Sequence, residues 1–283
     1  MRMPIGMPIR CSLALALTGL CAVSCTTSPD PPASFVVGLR VLAATGEPPQ
    51  VDPGGVSQVT VLAVDTGGRA IDVAWSRCAL APLAGEAVNA DCVTAVGPPT
   101  LEPIGSGLTI SAVMPPGTTA ASLGLPDATN GVYLPLVAQV TDGVDAVTTV
   151  YRLRLGDGTP PNMNPEIASI EVVDAAGVAT AVDPAAPLVV HAGEQLTLEA
   201  TYTPGSAQTY IGVGGASATE VLSTSWFCTA GALSVLRTSA AQPQTVLNLT
   251  ASLPETGQII DLWAVVHDER GGVGYTHRSL ALQ

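Results

Sequence analysis

An all-β fold is predicted by three observations. Apolar residues alternate with a period of two in short runs, glycine and proline break those runs, and no 3.6-residue period with caps continues past Cys25. The 29 Gly and 24 Pro of this 283-residue chain cut it into strand-sized pieces. Hydrophobic residues make up 47% and aromatic residues only 4%, so the cores are expected to be built from Val, Leu and Ala with few rings. The length admits one large domain or two of about 100–150 residues.

An internal duplication selects two. Gln58–Ala63 matches Gln195–Ala200, each after a glycine-containing turn, and Val73–Trp75 matches Thr224–Trp226. Ile110–Pro115 then matches Leu249–Pro254, and Leu136–Gly143 matches Leu262–Glu269. Four landmarks in one order describe a unit present twice, 34–156 and 166–283, with 157–165 as the linker, because no strand persists through Pro160, Pro161 and Pro165.

The first element is a leader. Arg2 and Arg10 precede Cys11–Val23, an apolar run too short for a spanning helix, which needs roughly 20 residues. Ala22, Val23 and Ser24 then lead to Cys25. The pattern resembles a bacterial lipobox, with Ala22 where Leu is commoner, and implies cleavage after residue 24 and lipidation of Cys25. Secretion with cleavage near Ser24 and a retained anchor are the other readings. Cys21 is a poorer lipid site, since Leu20 stands where a small residue is required. Residues 25–33, rich in proline and small polar side chains, read as a tether.

In the first unit strands are expected near Phe35–Leu42, Val56–Val64, Ile71–Cys78, Leu108–Val113, Tyr133–Thr141 and Ala146–Leu155. The second repeats the plan near Ile167–Val173, Gln195–Tyr202, Val221–Cys228, Thr245–Ala251, Ile259–His267 and Val273–Leu282. On the second strand Val59, Val61 and Ala63 face one way, with Thr60, Leu62 and Val64 the other. Trp75 and Trp226 stand at equivalent positions and are expected to fill the space between two sheets.

Charge narrows the function. The chain has no lysine, ten arginines and 23 acidic residues, net −13; loss of Arg2 and Arg10 with the leader takes this to −15. Nucleic acid needs the opposite sign, and anionic lipid gains nothing from such a surface. Solubility beside a negatively charged envelope accounts for the acidity more simply than a docking site for a basic partner.

After Cys25, Cys78, Cys92 and Cys228 remain. An oxidising compartment pairs two of them, and Cys78 with Cys92 closes a short loop within one unit. Parity supports this choice. Trp75 points inward, so Cys78, three residues on, points to the outer face where the Gly/Ala-rich segment bearing Cys92 can return over it. Cys228 shares the face of Trp226 and is expected as a buried thiol. Two free thiols or a metal pair are the alternatives; zinc would want four ligands, and His191, His267 and His277 all lie in the other unit.

The chain carries no motif of specific chemistry: GxSxG, HExxH, a phosphate-binding glycine loop and an EF-hand loop are all missing from the sequence. His267, Asp268 and Glu269 with His277 and Ser279 could be drawn as a triad, though a polar strand end explains them. Asp142, Asp145 and Asp268 could meet calcium at domain ends, though turn chemistry explains them too. No enzyme, no cofactor and no metal are expected. Among the long connections, Thr203–Glu220 is the best candidate recognition surface, centred on Tyr210, Ile211, Gly212 and Val213; a plain Gly/Ser/Thr spacer is its rival.

Taken with Cys25, the stretch Asn162-Met163-Asn164-Pro165, the two tryptophans and the ending Val265–Val273, the chain resembles tandem immunoglobulin-like or PKD-like domains of bacterial surface proteins. The likeness is nearest to envelope lipoproteins of myxobacteria and related deltaproteobacteria. That resemblance implies two β-sandwiches and a cell-envelope location, with no activity attached. The expected function is binding, adhesion or scaffolding by a protein held to a membrane, the outer one by analogy, through its N-terminal lipid. Its partner would be an envelope protein or a glycan. A carbohydrate-binding module would present Trp263, Tyr210 and Tyr275 to solvent, and an envelope hydrolase would need a cleft between the domains.

Overall fold

The computed structural model describes residues 33–81, 88–94, 100–156, 160–250 and 253–283. The leader, Cys25 and most of the tether lie outside the described residues.

The first sandwich is built from β1 (Leu39–Glu47), β2 (Gln50–Val51), β3 (Val56–Asp65), β4 (Asp72–Cys78), β5 (Leu101–Ser106), β6 (Thr109–Val113), β7 (Tyr133–Thr141) and β8 (Ala146–Leu155). One sheet has the order β1-β3-β6, the other β2-β8-β7-β4-β5. Short helical turns, Asp91–Thr94 and Ala120–Leu123, decorate the long connections. All ladders are antiparallel except the short β2, which runs parallel to β8. As the alternation requires, Val59 and Val61 are buried between the sheets with Trp75, Ile110, Ala138 and Leu153. The indole Nε1 of Trp75 donates to the Gly107 carbonyl at 3.0 Å, so the ring's one polar atom is satisfied inside the core.

The second sandwich comprises β9 (Ile167–Val173), β10 (Ala179–Ala181), β11 (Leu188–Val190), β12 (Gln195–Tyr202), β13 (Thr209–Ile211), β14 (Ser217–Thr219), β15 (Ser223–Cys228), β16 (Ala232–Leu233), β17 (Arg237–Ser239), β18 (Gln244–Asn248), β19 (Ile259–His267) and β20 (Val273–Leu282). Its sheets are β10-β9-β12-β18-β16 and β11-β20-β19-β15-β17, with β13 and β14 a separate hairpin. The parallel strand recurs as β11 beside β20. Trp226 occupies the place of Trp75 and donates to Thr238 Oγ1 at 3.0 Å. The architecture is thus two immunoglobulin-like β-sandwiches.

The pairing corrects one landmark. Trp75 faces Ala138 and Trp226 faces Ala264, so Leu136 and Leu262 are equivalent, as the sequences suggest. Gln58 pairs with Ser111, whereas Gln195 pairs with Asn248, which makes Ile110 equivalent to Leu247 and not to Leu249. A slip of two keeps every residue on the same face, so the apolar pattern could not reveal it.

A second correction concerns the chain start. β1 begins at Leu39, not Phe35, because the preceding residues belong to the other sandwich: Phe35 forms a parallel bridge with Cys228. Cys78 and Cys92 form a disulfide on the outer face of β4, packed with Val137 and Val150. Cys228 is a free, buried thiol whose pKa burial pushes up to about 12.

Candidate binding surface

The outward faces of two strands decide how the sandwiches meet. In β3, Leu62 and Val64 alternate with the core residues Val59 and Val61; in β19, Trp263 and Val265 alternate with Leu262, Ala264 and Val266. These outward residues would be exposed on isolated sandwiches. They instead form a third apolar cluster with Val36, Leu42, Ala43, Phe227 and Val273, so one sheet of each sandwich packs against the other. Burying a large apolar side chain stabilises by about 1.5–3 kcal/mol. Several together outweigh any exposed ion pair, worth about 0–1 kcal/mol.

Two features seal this seam. At one end Ser34–Val36 adds to the Cys228 end of β15, which β17 leaves unpaired: the Val36 amide donates to the Cys228 carbonyl at 2.8 Å and the Cys228 amide to the Ser34 carbonyl at 2.9 Å. At the other end lies a buried polar cluster. Arg270, 1% exposed, donates to Glu220 Oε1 (3.1 Å), Gln50 Oε1 (3.3 Å) and the Pro160 carbonyl (3.2 Å). Asn162 donates its backbone amide to Gln50 Oε1 and its side-chain amide to Asp268 Oδ2, both at 3.2 Å. Asn164 donates to the Gly46 carbonyl at 2.7 Å and accepts from the Val273 amide at 2.9 Å. Gly274 approaches the Pro165 carbonyl too closely to admit a Cβ, so this junction needs glycine for space.

Burial raises the Glu220 and Asp268 carboxyls above their usual range. Arg270 opposes this as a charge near both, and Asp268 Oδ1 also accepts from the Arg270 and Gly272 amides at 2.7 and 2.8 Å. The cluster holds the β19–β20 turn against the first sandwich.

The candidate segment Thr203–Glu220 is an ordered hairpin standing on this cluster. β13 pairs with β14, and Gly214 and Gly215 supply the positive φ values, 85° and 80°, that its turn requires. Tyr210 is corrected from a surface residue to an anchor. It is 8% exposed, and its hydroxyl donates to Glu269 Oε1 at 2.6 Å. That bond, ahead of burial, raises its pKa to about 12. Gln208 clamps the base, donating its amide to Glu220 Oε2 at 2.8 Å and accepting from the Met163 amide at 2.9 Å. Ile211 and Val213 remain 43% and 58% exposed at the tip, so the candidate surface narrows to those two and Gly212 between them.

Other sequence candidates separate. Trp263 is 8% exposed in the seam, which leaves Tyr275 as the exposed member of the aromatic trio; a carbohydrate platform does not form from these three. His277 Nε2 meets Asp261 Oδ1 at 2.7 Å, not Asp268, and no hydrogen bond joins Ser279 to it among the described residues. Asp142 and Asp145 surround the Arg69 guanidinium at 2.6 and 3.4 Å, so an arginine stands where calcium was considered. Among the described residues no cluster of three or more His, Cys, Asp or Glu could hold a metal.

The sequence reading missed Arg270, Glu220, Gln50 and Asn162 as a unit. No local signal joins residues 50 and 220 positions apart; the charges next to strand ends were visible, their burial was not.

No family model matches the chain, and no curated protein matches it. Solved structures similar to it include three N-terminal domains of the highly immunogenic outer capsid protein of bacteriophage RB49, at 10% identity and TM-score 0.25, covering 87% of this chain and 70% of that one. The Ig1-2 module of a Drosophila receptor protein tyrosine phosphatase aligns at 13% identity and TM-score 0.25, covering 87% and 99%. The FN1-FN3 domains of chicken CNTN1 align at 8% and 0.23, covering 88% and 68%. Superpositions this loose carry no argument, and the fold stands on its own strand pairings.

Proposed function

We propose that this chain is a non-catalytic, lipid-anchored cell-envelope protein, tethered through Cys25 in the outer membrane, that binds an envelope protein or glycan as part of a surface assembly. One observation carries the binding reading. The chain enters on β15 at Cys228, while the hairpin that ends in Ile211 and Val213 sits before Ser223, at the other end of that strand and about 17 Å away at 3.4 Å per residue. A double sandwich packed along one seam, entered at one end and carrying an anchored apolar tip near the other, suits a presenting module. Its acidic surface argues against nucleic acid.

Photo-crosslinkers placed at Ile211 and at Val213 in intact cells are expected to capture one reproducible neighbour, with none captured from the exposed Val189 on β11. The change I211D with V213D should abolish capture without changing the circular dichroism spectrum. No reproducible neighbour, or the same neighbours from Val189, would overturn the assignment of the tip. Separately, Cys25→Ser should move the protein to the soluble fraction; unchanged membrane association would refute the tether.

A further inference from the structure

The two copies of the fold treat one sheet edge differently. In the second sandwich β18 is covered by β16, with Ala232 beside Asn248 and Leu233 beside Leu247. Its equivalent in the first sandwich, β6, pairs only with β3 and ends its sheet.

The register shows which backbone groups are free. Val61 donates to the Leu108 carbonyl and Met114 to the Gly55 carbonyl, which places the even-numbered residues of β6 in the ladder with β3. The amides and carbonyls of Thr109, Ser111 and Val113 therefore point outward, and no partner meets them among the described residues. Beside them Leu108, Val113 and its cross-strand neighbour Val56 are 45%, 49% and 48% exposed.

Proteins blunt such edges with proline, charge, bulges or short strands. The other sheet edges here carry these devices: β5 has Pro103, Glu102 and a register shift opposite it at Trp75/Ser76, β2, β10, β11, β16 and β17 have two or three residues, and β1 has Arg40, Glu47 and a register shift between Val41 and Ala43. Thr109–Val113 has five residues, no proline, no charge and no bulge.

We propose that β6 is a self-association edge whose occupant is β6 of a second copy of this chain, antiparallel about Ser111. The register is self-complementary. Thr109 then faces Val113 of the second copy and Ser111 faces its own counterpart, and all three outward residues fall in hydrogen-bonded pairs, six bonds in all by the antiparallel rule of about two per such pair. On the inner face Ile110 meets Ala112, a large residue against a small one, while on the outer face Val113 and Val56 lose water, as does Leu108 beside the strand. The seam itself is uncharged although each chain carries −13, so association should strengthen with salt. This inference does not rest on the lipid anchor or on the hairpin tip.

Sedimentation equilibrium of the full chain in detergent is expected to show a monomer–dimer equilibrium that tightens with salt. Ser111→Pro removes only an outward amide, which an edge strand tolerates, and should weaken the dimer at least tenfold with an unchanged melting curve. Because a proline could still perturb the fold, charge provides a second arm. S111K and S111E should each fail to self-associate, and their mixture should form a heterodimer. Opposed Ser111 Cα atoms would lie about 5.5 Å apart, within disulfide range, so S111C should give a covalent dimer on oxidation of intact membranes, with T60C on β3 as the unreactive control. A chain that stays monomeric at every concentration and salt, a dimer indifferent to S111P, or S111C crosslinking only to a different protein would each overturn the proposal.

Discussion

Asp142 and Asp268 occupy equivalent turns between the last two strands of their sandwiches, and each is 8% exposed. Both use Oδ1 to cap the turn: Asp142 accepts from the Val144 and Asp145 amides, Asp268 from those of Arg270 and Gly272. The difference lies in the arginine beside each aspartate. Beside Asp142 it is Arg69, with a third of its side chain in water and only its own sandwich's carboxylates for company. Beside Asp268 it is Arg270, fully buried among Glu220, Gln50 and the Pro160 carbonyl. The same turn thus ties together only its own sandwich in the first copy and has become the joint between copies in the second.

The largest effect follows from that contrast. Arg270→Ala leaves Glu220 buried without its cation and is expected to cost about 3–5 kcal/mol in denaturant unfolding. Replacing both partners together, Arg270→Met with Glu220→Leu, should recover most of the loss, because no buried charge is stranded. An Arg270→Ala cost no greater than that of Arg69→Ala would break the comparison.

Next comes the disulfide. Opening Cys78–Cys92, which closes a loop of sequence separation 14, should destabilise by about 3 kcal/mol in the chain-entropy estimate. The second sandwich offers only Cys228. Its buried, weakly acidic thiol should resist alkylation in the native protein and react once the chain is unfolded; mass spectrometry after brief labelling reads both states.

A pH series separates the two sandwiches more finely. Burial, and secondarily Arg237, lowers the His267 pKa from 6.5 to about 4. A folded value below the unfolded one means the unfolded chain binds the proton first, so stability present above pH 6.5 is lost as pH falls towards 4. The expected loss is on the order of 1–3 kcal/mol, and it should vanish in His267→Gln. Asp65, held at about 2 chiefly by its hydrogen bond from Arg69, contributes its loss later, as pH falls from 3.8 towards 2. His267 lines the groove between the sandwiches with Leu42 and Tyr151, so the earlier transition should loosen the seam. Arg69→Ala at neutral pH should cost less than Arg270→Ala, because a third of the Arg69 side chain is already in water.

Most strand ends were legible because a period of two bounded by glycine or proline is a local property. Ile167–Val173, Gln195–Tyr202 and Ile259–His267 form with the expected bounds. The disulfide was legible for a related reason: three steps along a strand reverse the face, which separates Cys78 from Trp75 without any knowledge of the rest of the fold. Short edge pieces such as β2, β10, β11 and β16 were not, since two or three residues carry no periodicity and pair only because a neighbour is present. The tip of the candidate surface was half legible. A long insertion could be seen, but whether Tyr210 faced water depended on Glu269, 59 positions away.

By itself the sequence determined the all-β class and the acidic surface and pointed to the duplication, the two core tryptophans and the Cys78–Cys92 pairing, because each follows from composition or from spacing along one segment. Only the tertiary structure decided that Leu62, Val64, Trp263 and Val265 form a seam, that Ser34–Val36 crosses to β15, and that Arg270 is the joint. An outward-facing apolar residue looks the same in sequence whether water or another sheet lies opposite, and that choice is made only when distant segments meet.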